Sequence, residues 1–347
     1  MHLHALATAV PPHSFTQEEC WEKVAASPLR EQLSRRSLLT LRAVLTRDTS
    51  IATRHFALAD LEQLLASTAD DLNAHFRTAA PALAGAALTR ALDRAGAVAR
   101  DLDALLVCTC TGYLCPGVSS YVAEQLGLRP DAFLQDLVGL GCGAAIPMLR
   151  AADALCAARP DALVATVAVE ICSAAFYLDD DPGVLVSACL FSDGAAAALW
   201  RGAPGATGLQ VRGFSTTHRP AERDKLRFEQ RDGRLRNLLH PAVPKIAADA
   251  VRELFARENG RPLARVISHS GGRDVLDALE PVLPGHSLDA SRAALRAHGN
   301  MSSPSVLFAL EEALRADRPR ADGDWWIVSF GAGFSAHACR LALRAGV

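Results

Sequence analysis

The sequence has few lysines and few aromatic residues, and it has no excess of charge of either sign. Three lysines stand among 36 basic residues, aromatic residues make up 5% of the chain, and the formal net charge is −2 at pH 7. Proteins that bind nucleic acids usually carry a basic patch and a basic net charge. We therefore expect no nucleic-acid partner.

Membrane, secretion and metal signals are also missing. No stretch reaches the roughly 18 uninterrupted apolar residues of a membrane-spanning helix, so we expect no membrane span. The N-terminus has no charged segment followed by a long apolar run, and the nine cysteines lie mostly in apolar surroundings, which together favour a cytoplasmic location. Cys108, Cys110 and Cys115 lie close together, but no second Cys or His pair follows at zinc-ligand spacing, so we expect no metal site.

The pattern that is present is typical of a layered α/β protein. Half of the 347 residues are hydrophobic, which is enough for a large core. Short β-rich runs at residues 104–108, 162–169, 264–268 and 325–330 alternate with helical segments rich in Ala and Leu. This alternation predicts parallel strand pairing.

A break rich in Gly and Pro, RGAPGATG at residues 201–208, is the best candidate for a boundary. We place the division at Gly205, which gives an N-terminal half of residues 1–205 and a C-terminal half of residues 206–347. Each half ends in a Gly-containing turn that enters a strand, SDGAAAALW in the first and SFGAGFSAHACRLAL in the second. The two units are consistent with a duplication.

One cysteine lies between glycines at the start of a long apolar segment, in the run DLVGLGCGAAIPMLRAADAL. Residues 133–138 are predicted as a strand, and residues 143–158 as a buried helix whose first turn Pro147 makes irregular. Cys142 would then lie at the positive end of the helix dipole, which lowers the pKa of a thiol. Taken alone, this segment fits a reactive nucleophile and an inert core cysteine equally well.

Two other polar residues lie at comparable junctions. His269 ends a predicted strand just before the pair Gly271 and Gly272, and catalytic side chains gather at such strand ends. Asn300 follows Gly299 in a loop between two predicted helices, where its amide can donate to an oxygen that develops negative charge. In isolation each also fits an ordinary turn residue. A Cys, a His and an Asn together supply the roles of a nucleophile, a proton carrier and an oxyanion donor.

These segments, in this order, resemble the chalcone synthase-like type III polyketide synthases. The resemblance rests on GLGCGAA, ISHSGG and GNMSSPSVLFALE, together with VCTCTGYLCPG at residues 107–117 and FSDGAAA at residues 191–197. It runs from about Ile51 to the C-terminus. It implies an α/β fold of the thiolase-like type, with five layers in the order αβαβα built from two similar halves, and it implies a homodimer.

The resemblance also implies the chemistry. Cys142 is expected to take a starter acyl group from an acyl-CoA, and His269 and Asn300 are expected to hold the thioester carbonyl and promote decarboxylation of malonyl-CoA. As an imidazolium, His269 would keep Cys142 ionised. No metal or redox cofactor is expected, because coenzyme A activates both substrates. The product would be a cyclised α-pyrone, resorcinol or phloroglucinol, made by several extensions, and we take a fatty acyl starter as the first choice.

Further residues take their expected roles from the same family. Phe191 matches the aromatic gate between the CoA tunnel and the reaction cavity, and Gly331 and Gly333 match a Gly-rich loop beside the nucleophile, where a Cβ would obstruct close backbone approach. Glu170 matches a carboxylate of the family that we expect to be structural. Cys115 matches a position that reaches across the dimer interface in the family. Small or polar residues fall on positions that line the cavity: Cys110, Thr111, Cys172, Ala175, Gly233 and Ser302.

The chain departs from the plant enzymes after Gly233, where a shorter segment leaves no counterpart for a second aromatic gate, and Leu238 or Leu239 is expected to stand in. Arg42, Arg47 and Arg54 lie near the positions that bind CoA phosphates without aligning to them.

Two alternatives stay open: a ketoacyl synthase III-like enzyme that makes one extension, and a non-catalytic thiolase-fold scaffold. The intact Cys, His and Asn argue against the scaffold.

Overall fold

The structure is a computed structural model that describes residues 1–47, 50–204, 207–316 and 323–343. Over these residues the chain forms thirteen β-strands: β1 (His2–Ala9), β2 (His13–Thr16), β3 (Thr53–Phe56), β4 (Ala104–Thr109), β5 (Phe133–Val138), β6 (Val164–Glu170), β7 (Gly194–Arg201), β8 (Leu209–His218), β9 (Leu226–Arg231), β10 (Arg234–Leu239), β11 (Arg265–Ser268), β12 (Gly323–Gly331) and β13 (Ser335–Leu343). The predicted boundary residue, Gly205, lies outside the described residues.

The same residues form twelve α-helices: α1 (Gln17–Ala26), α2 (Leu29–Gln32), α3 (Arg35–Thr46), α4 (Leu61–Ala66), α5 (Ala69–Ala95), α6 (Val118–Leu126), α7 (Ala145–Ala158), α8 (Pro182–Leu190), α9 (Val243–Ala256), α10 (Arg273–Leu279), α11 (Asp289–His298) and α12 (Ser305–Ala316). Short 3-10 helices lie at Ala99–Asp101, Gly141–Gly143, Cys172–Ala175, Pro220–Lys225 and Glu280–Val282. None of the described helices is long and apolar enough to cross a membrane.

The strand order shows that the two halves repeat one topology. Nine strands run in the order β11-β12-β13-β8-β1-β7-β6-β4-β5, and the halves join where β1 pairs with β8. On one side β1 pairs antiparallel with β7, β7 antiparallel with β6, and β6 parallel with β4. On the other side β8, β13, β12 and β11 pair in the same sequence and the same senses. The two similar halves predicted from the sequence are therefore present.

Alternating burial along the strands produces the layers. Leu106 of β4 and Trp325 of β12 point into one central cluster that also contains the apolar faces of α7 and α12. Their neighbours Leu105 and Trp326 point to the opposite faces, where they pack with α5 and with α9 and α10, respectively. Because successive side chains of a strand face opposite ways, each half of the sheet is covered on both faces. The layers are helix, sheet, helix, sheet, helix, which confirms the predicted αβαβα fold.

A smaller apolar cluster caps one end of these layers. It joins α1, α3 and α4 to α8 through buried residues such as Leu41, Leu64 and Leu185, and we call it the N-terminal cap. Since α8 ends at Leu190, immediately before Phe191, this N-terminal cap lies next to the predicted gate.

The elements around the predicted nucleophile match the sequence prediction closely. The strand predicted at residues 133–138 is β5, and the irregular helix start is the 3-10 helix Gly141–Gly143 followed by α7. Pro147 is the third residue of α7. The missing N–H of a proline costs no intrahelical bond there, because the first turn of a helix has unpaired N–H groups.

The two halves are in close backbone contact where β12 ends. A Cβ on Gly331 would lie 2.5 Å from the backbone nitrogen of Gly143 and 2.9 Å from that of Cys142. Backbone atoms cannot yield as a flexible side chain can, so only glycine fits. The C-terminal half thus fixes the backbone on both sides of the nucleophile.

Replacing Gly331 by alanine therefore destabilises the protein. We expect Gly331→Ala to lower the free energy of unfolding by about 1–3 kcal/mol, the usual effect of overpacking, measured by urea denaturation. Gly213→Ala is the matched control, because Gly213 also lies in a strand and its added Cβ would meet nothing within 4 Å. Equal stabilities for the two variants would contradict the close approach.

Candidate active site

Cys142 lies in the 3-10 helix that leads into α7, and its side chain is 9% exposed. Its Sγ accepts a hydrogen bond of 3.2 Å from Oγ of Ser302, which belongs to the loop before α12. Ser302 has a φ of +60°, an unusual conformation for a non-glycine residue. Two loops, one from each half of the molecule, therefore meet at the thiol.

His269 follows β11 directly and is 2% exposed. Its backbone N–H donates to the carbonyl of Val328 at 2.8 Å, so the residue extends the pairing of β11 with β12. Its ring meets the ring of Phe330 edge-on, with 5.4 Å between centroids. Its Nδ1 is buried and finds no hydrogen-bond partner among the described residues.

Asn300 lies in the loop between α11 and α12, as predicted. Gly299, with a φ of +70°, ends α11 and turns the chain toward the site. The side chain of Asn300 is held at both ends: Nδ2 donates to the carbonyl of Gly271 at 3.2 Å, and Oδ1 accepts from the N–H of Ser302 at 2.8 Å. One N–H of the amide stays available for a ligand, because an NH₂ group has two donors.

The structure brings these three residues to one cavity. Cys142, His269 and Asn300 all line a space of about 360 Å³, which we call the outer cavity. Arg47 and Arg273 also line it. Of the three arginines singled out in the sequence, Arg47 alone lies on this cavity.

A second space, the inner cavity, lies on the other side of Phe191. It measures about 70 Å³, and Phe191 lines both spaces. Its walls include four of the residues predicted to line the pocket: Thr111, Cys172, Ala175 and Ser302. They also include residues of the N-terminal cap: Cys20, Val24, Leu41, Leu45, Leu61, Leu64 and Leu65. Phe191 therefore lies between the two cavities, where the sequence predicts a gate.

Glu170 connects Cys110 and Thr111, just after β4, to the loop before α12. Its buried carboxylate accepts hydrogen bonds from Oγ of Ser303 at 2.6 Å, from Oγ1 of Thr111 at 2.9 Å and from Sγ of Cys110 at 3.2 Å. Cys110 in turn lies 3.3 Å from Oγ of Ser302. Burial raises the pKa of Glu170, and the hydrogen bonds oppose that rise. Cys110 is therefore next to the inner cavity without lining it.

Gly233 is the predicted pocket residue that the structure places elsewhere. It lies in the tight turn between β9 and β10 with a φ of +72°, and it lines neither cavity. Glycine is required there by the turn, since left-handed backbone is costly for other residues. A contact between Gly233 and substrate stays a prediction.

The hairpin of β9 and β10 supplies two lining residues that the sequence did not indicate. Phe228 and Asn237 line the inner cavity, whereas Leu239 lines the outer one and Leu238 lines neither. A strand alternates its side chains between two faces, so the choice between adjacent residues depends on a register that the sequence leaves open.

Gly333 has a φ of +119° in the loop after β12, which accounts for a glycine there.

Burial controls the protonation of the site. It raises the pKa of the Cys142 thiol to about 12, and it lowers the pKa of the His269 imidazole to about 3. The hydrogen bond from Ser302 lowers the thiol pKa but does not outweigh burial. Burial therefore favours a neutral Cys142 thiol and a neutral His269 imidazole over the expected thiolate and imidazolium.

The neutral pair has a measurable consequence. Below its pKa, the thiolate fraction of a thiol grows about tenfold per pH unit. We therefore expect the rate of iodoacetamide alkylation of Cys142 to rise steeply between about pH 6 and pH 9, followed by mass spectrometry of the modified peptide. A rate that is constant over this range would show that Cys142 is already ionised.

Sequence and structure comparisons agree with this architecture. The family model described as "Chalcone and stilbene synthases, N-terminal domain" matches residues 1–204, and the corresponding C-terminal domain model matches residues 238–342. A 1,3,6,8-tetrahydroxynaphthalene synthase from Streptomyces peucetius subsp. caesius is 33% identical, over 96% of this chain and 90% of that protein. A 3,5-dihydroxyphenylacetyl-CoA synthase from Streptomyces toyocaensis is 30% identical, over 89% of this chain and 81% of that protein.

Among solved structures, the 1,3,6,8-tetrahydroxynaphthalene synthase of Streptomyces coelicolor A3(2), a bacterial type III polyketide synthase, superposes with a TM-score of 0.87. The match covers all of both chains at 27% identity. The resemblance inferred from the sequence motifs is therefore confirmed. The chain belongs to the chalcone and stilbene synthase family and is a type III polyketide synthase, an acyltransferase that condenses malonyl-CoA.

Proposed function

We propose that this synthase loads an acyl-CoA starter onto Cys142, extends it with malonyl-CoA and cyclises the product to an aromatic ring or a pyrone. The observation that carries the proposal is that Cys142, His269 and Asn300 line one cavity, which Phe191 separates from a second cavity. Relatives named for tetrahydroxynaphthalene, dihydroxyphenylacetyl-CoA and phloroglucinol support an aromatic product.

In the loading step, the Sγ proton of Cys142 passes to the neutral imidazole of His269 as Sγ attacks the thioester carbonyl. The C–S bond to coenzyme A breaks, and the leaving thiolate takes the proton from His269. An acyl group remains on Cys142. A neutral imidazole is the form that can accept this proton.

In the extension step, the malonyl group loses CO₂ and the electron pair of the broken C–C bond forms an enolate. The enolate oxygen accepts hydrogen bonds from an N–H of His269 and from Nδ2 of Asn300. The enolate carbon then attacks the acyl carbonyl, a C–C bond forms, and Cys142 leaves as a thiolate. Two neutral donors and a thioester suffice for this chemistry, so the proposal includes no metal or redox cofactor.

Coenzyme A would enter through the outer cavity. Arg47 and Arg273 line it and can pair with phosphate groups. Asp274 lies beside both guanidinium groups, at 4.0 Å from Arg47 and 3.0 Å from Arg273. These two arginines, rather than Arg42 or Arg54, are our proposal for the phosphate contacts.

The inner cavity limits the starter. A chemical group the size of a water molecule needs about 10–15 Å³ of cavity volume. The inner cavity, at about 70 Å³, therefore holds about five groups of that size. The walls are mainly apolar. We therefore propose a short or medium acyl starter, which narrows the fatty acyl starter first expected from the sequence.

We also propose a homodimer formed through the outer edge of β5. Phe133 and Val138 of this edge strand are 49% and 54% exposed, and Tyr113, two residues before Cys115, is 75% exposed. Exposed edge strands and apolar patches are usually covered in the native assembly.

All nine cysteines are free in the structure, which supports a cytoplasmic location.

Cys142→Ala tests the nucleophile. We expect it to reduce polyketide formation from acyl-CoA and malonyl-CoA more than about 1,000-fold, measured by liquid chromatography and mass spectrometry of the products. Cys156→Ala is the matched control, because Cys156 is a buried cysteine of α7 that lines neither cavity. Polyketide formation that survives in Cys142→Ala would overturn the assignment.

Ala175→Leu tests the inner cavity. The larger side chain should lower kcat/KM for hexanoyl-CoA by roughly 10- to 200-fold while acetyl-CoA is still used, because only the longer starter needs the space. Ala157→Leu, on an exposed position of α7, is the control. Equal losses for both starters would argue against an inner binding site for the acyl chain.

A further inference from the structure

Arg54 is a buried arginine whose guanidinium binds backbone carbonyls rather than carboxylates. It lies on β3, is 3% exposed and lines the inner cavity. Its Nη1 donates to the carbonyl of Ala188 at 2.6 Å and to the carbonyl of Phe191 at 3.2 Å. Its Nε is buried without a hydrogen-bond partner among the described residues. Burying a charged group in this way is costly, so the position calls for a reason.

Both accepting carbonyls belong to the last turn of α8 and the residue that follows it. Four carbonyl groups at a helix C-terminus have no partner within the helix, and a cation there also interacts favourably with the helix dipole. Arg54 thus fixes the end of α8 at the residue that separates the two cavities. The ring of Phe56 lies 5.2 Å from the guanidinium carbon and holds it from the other side.

The backbone of β3 holds the same segment. The N–H of His55 donates to Oγ of Ser192 at 2.7 Å, and the N–H of Asp193 donates to the carbonyl of His55 at 2.8 Å. The gate residue therefore lies between the Arg54 contact on one side and these two bonds on the other. Phe191 can shift little while β3 stays in place.

The same segment is bonded to the backbone of Asn300. The N–H of Asn300 donates to the carbonyl of Leu190 at 3.0 Å, and the N–H of Ser192 donates to the carbonyl of Asn300 at 2.9 Å. Phe191 and Asn300 thus form a parallel bridge between two loops. A Cβ on Gly299 would lie 3.1 Å from Cγ of Arg54, so the arginine stem also packs against the loop that carries Asn300.

We infer that Arg54 is a positioning residue that holds the gate residue Phe191 and the oxyanion donor Asn300 as one rigid unit. The inference rests on the proposed function, in which Asn300 stabilises the enolate and Phe191 separates the cavities. Without Arg54, the end of α8 loses its anchor, and the amide of Asn300 moves with it. Misplacement of a catalytic group by about 1 Å is enough to cost about 100-fold in rate.

The test measures malonyl-CoA decarboxylation and product length for Arg54→Met, which keeps an apolar stem and removes the donors. We expect kcat for CO₂ release to fall on the order of 10- to 100-fold with KM for malonyl-CoA unchanged, because Arg47 and Arg273 are untouched. The share of products released after fewer extensions should rise. Arg54→Lys should recover part of the kcat, because one ammonium donor can still reach a carbonyl.

A control separates positioning from a loss of stability. Arg94 donates to the carbonyl of Leu6 and to the carboxylate of Glu311, and it lines neither cavity. Arg94→Met should lower the melting temperature and leave kcat and product length of the folded enzyme unchanged. Ser192→Ala, which removes the bond to His55, should lower kcat in the same sense as Arg54→Met and serves if Arg54→Met does not fold.

The outcomes are distinct. Wild-type protein that neither decarboxylates malonyl-CoA nor makes a polyketide would overturn the proposed function. Active wild-type enzyme, with kcat and product length in Arg54→Met within twofold of wild type, would overturn the role of Arg54 alone. If Arg54→Met does not fold, unchanged kcat in Arg54→Lys and Ser192→Ala would overturn it equally.

Discussion

The backbone of Gly331 runs against the backbone of Cys142 and Gly143, and this contact joins the two halves of the molecule at the nucleophile. It lies where β12 ends, against the 3-10 helix that precedes α7. The loops after β11 and α11 reach the same place, and they bring His269 and Asn300 to the outer cavity. The repeated topology thus supplies half of the site from each copy, as expected of a duplicated fold whose copies have diverged.

Burial is the second constraint on the chemistry. Cys142 and His269 are both buried, so the charged forms of both side chains are disfavoured. A buried environment of this kind would also strengthen the proposed hydrogen bonds to the enolate.

Much of the fold and the three catalytic candidates could be predicted from the sequence. The strand and helix around Cys142 were predicted well because local signals agree there: a strand pattern, a glycine turn and a long apolar helix. The walls of the inner cavity could not be predicted, because Leu41 and Leu64 have the same apolar spacing whether they pack in a core or line a space. The position of Gly233 in a turn could not be predicted, because a glycine required by a turn and a glycine that makes room for substrate look alike in a sequence. The sequence indicated Arg54 only as one of three arginines near phosphate-binding positions, because its proposed positioning role depends on carbonyls of a helix far away in the chain.

The account depends most on acylation of Cys142. The most direct measurement is proteolytic digestion and tandem mass spectrometry of the enzyme quenched during turnover with hexanoyl-CoA and malonyl-CoA. The account predicts a hexanoyl adduct, and adducts extended by ketide units, on Cys142 alone. Adducts on Cys110 or Cys172 without any on Cys142, or the absence of any covalent adduct while product accumulates, would contradict it.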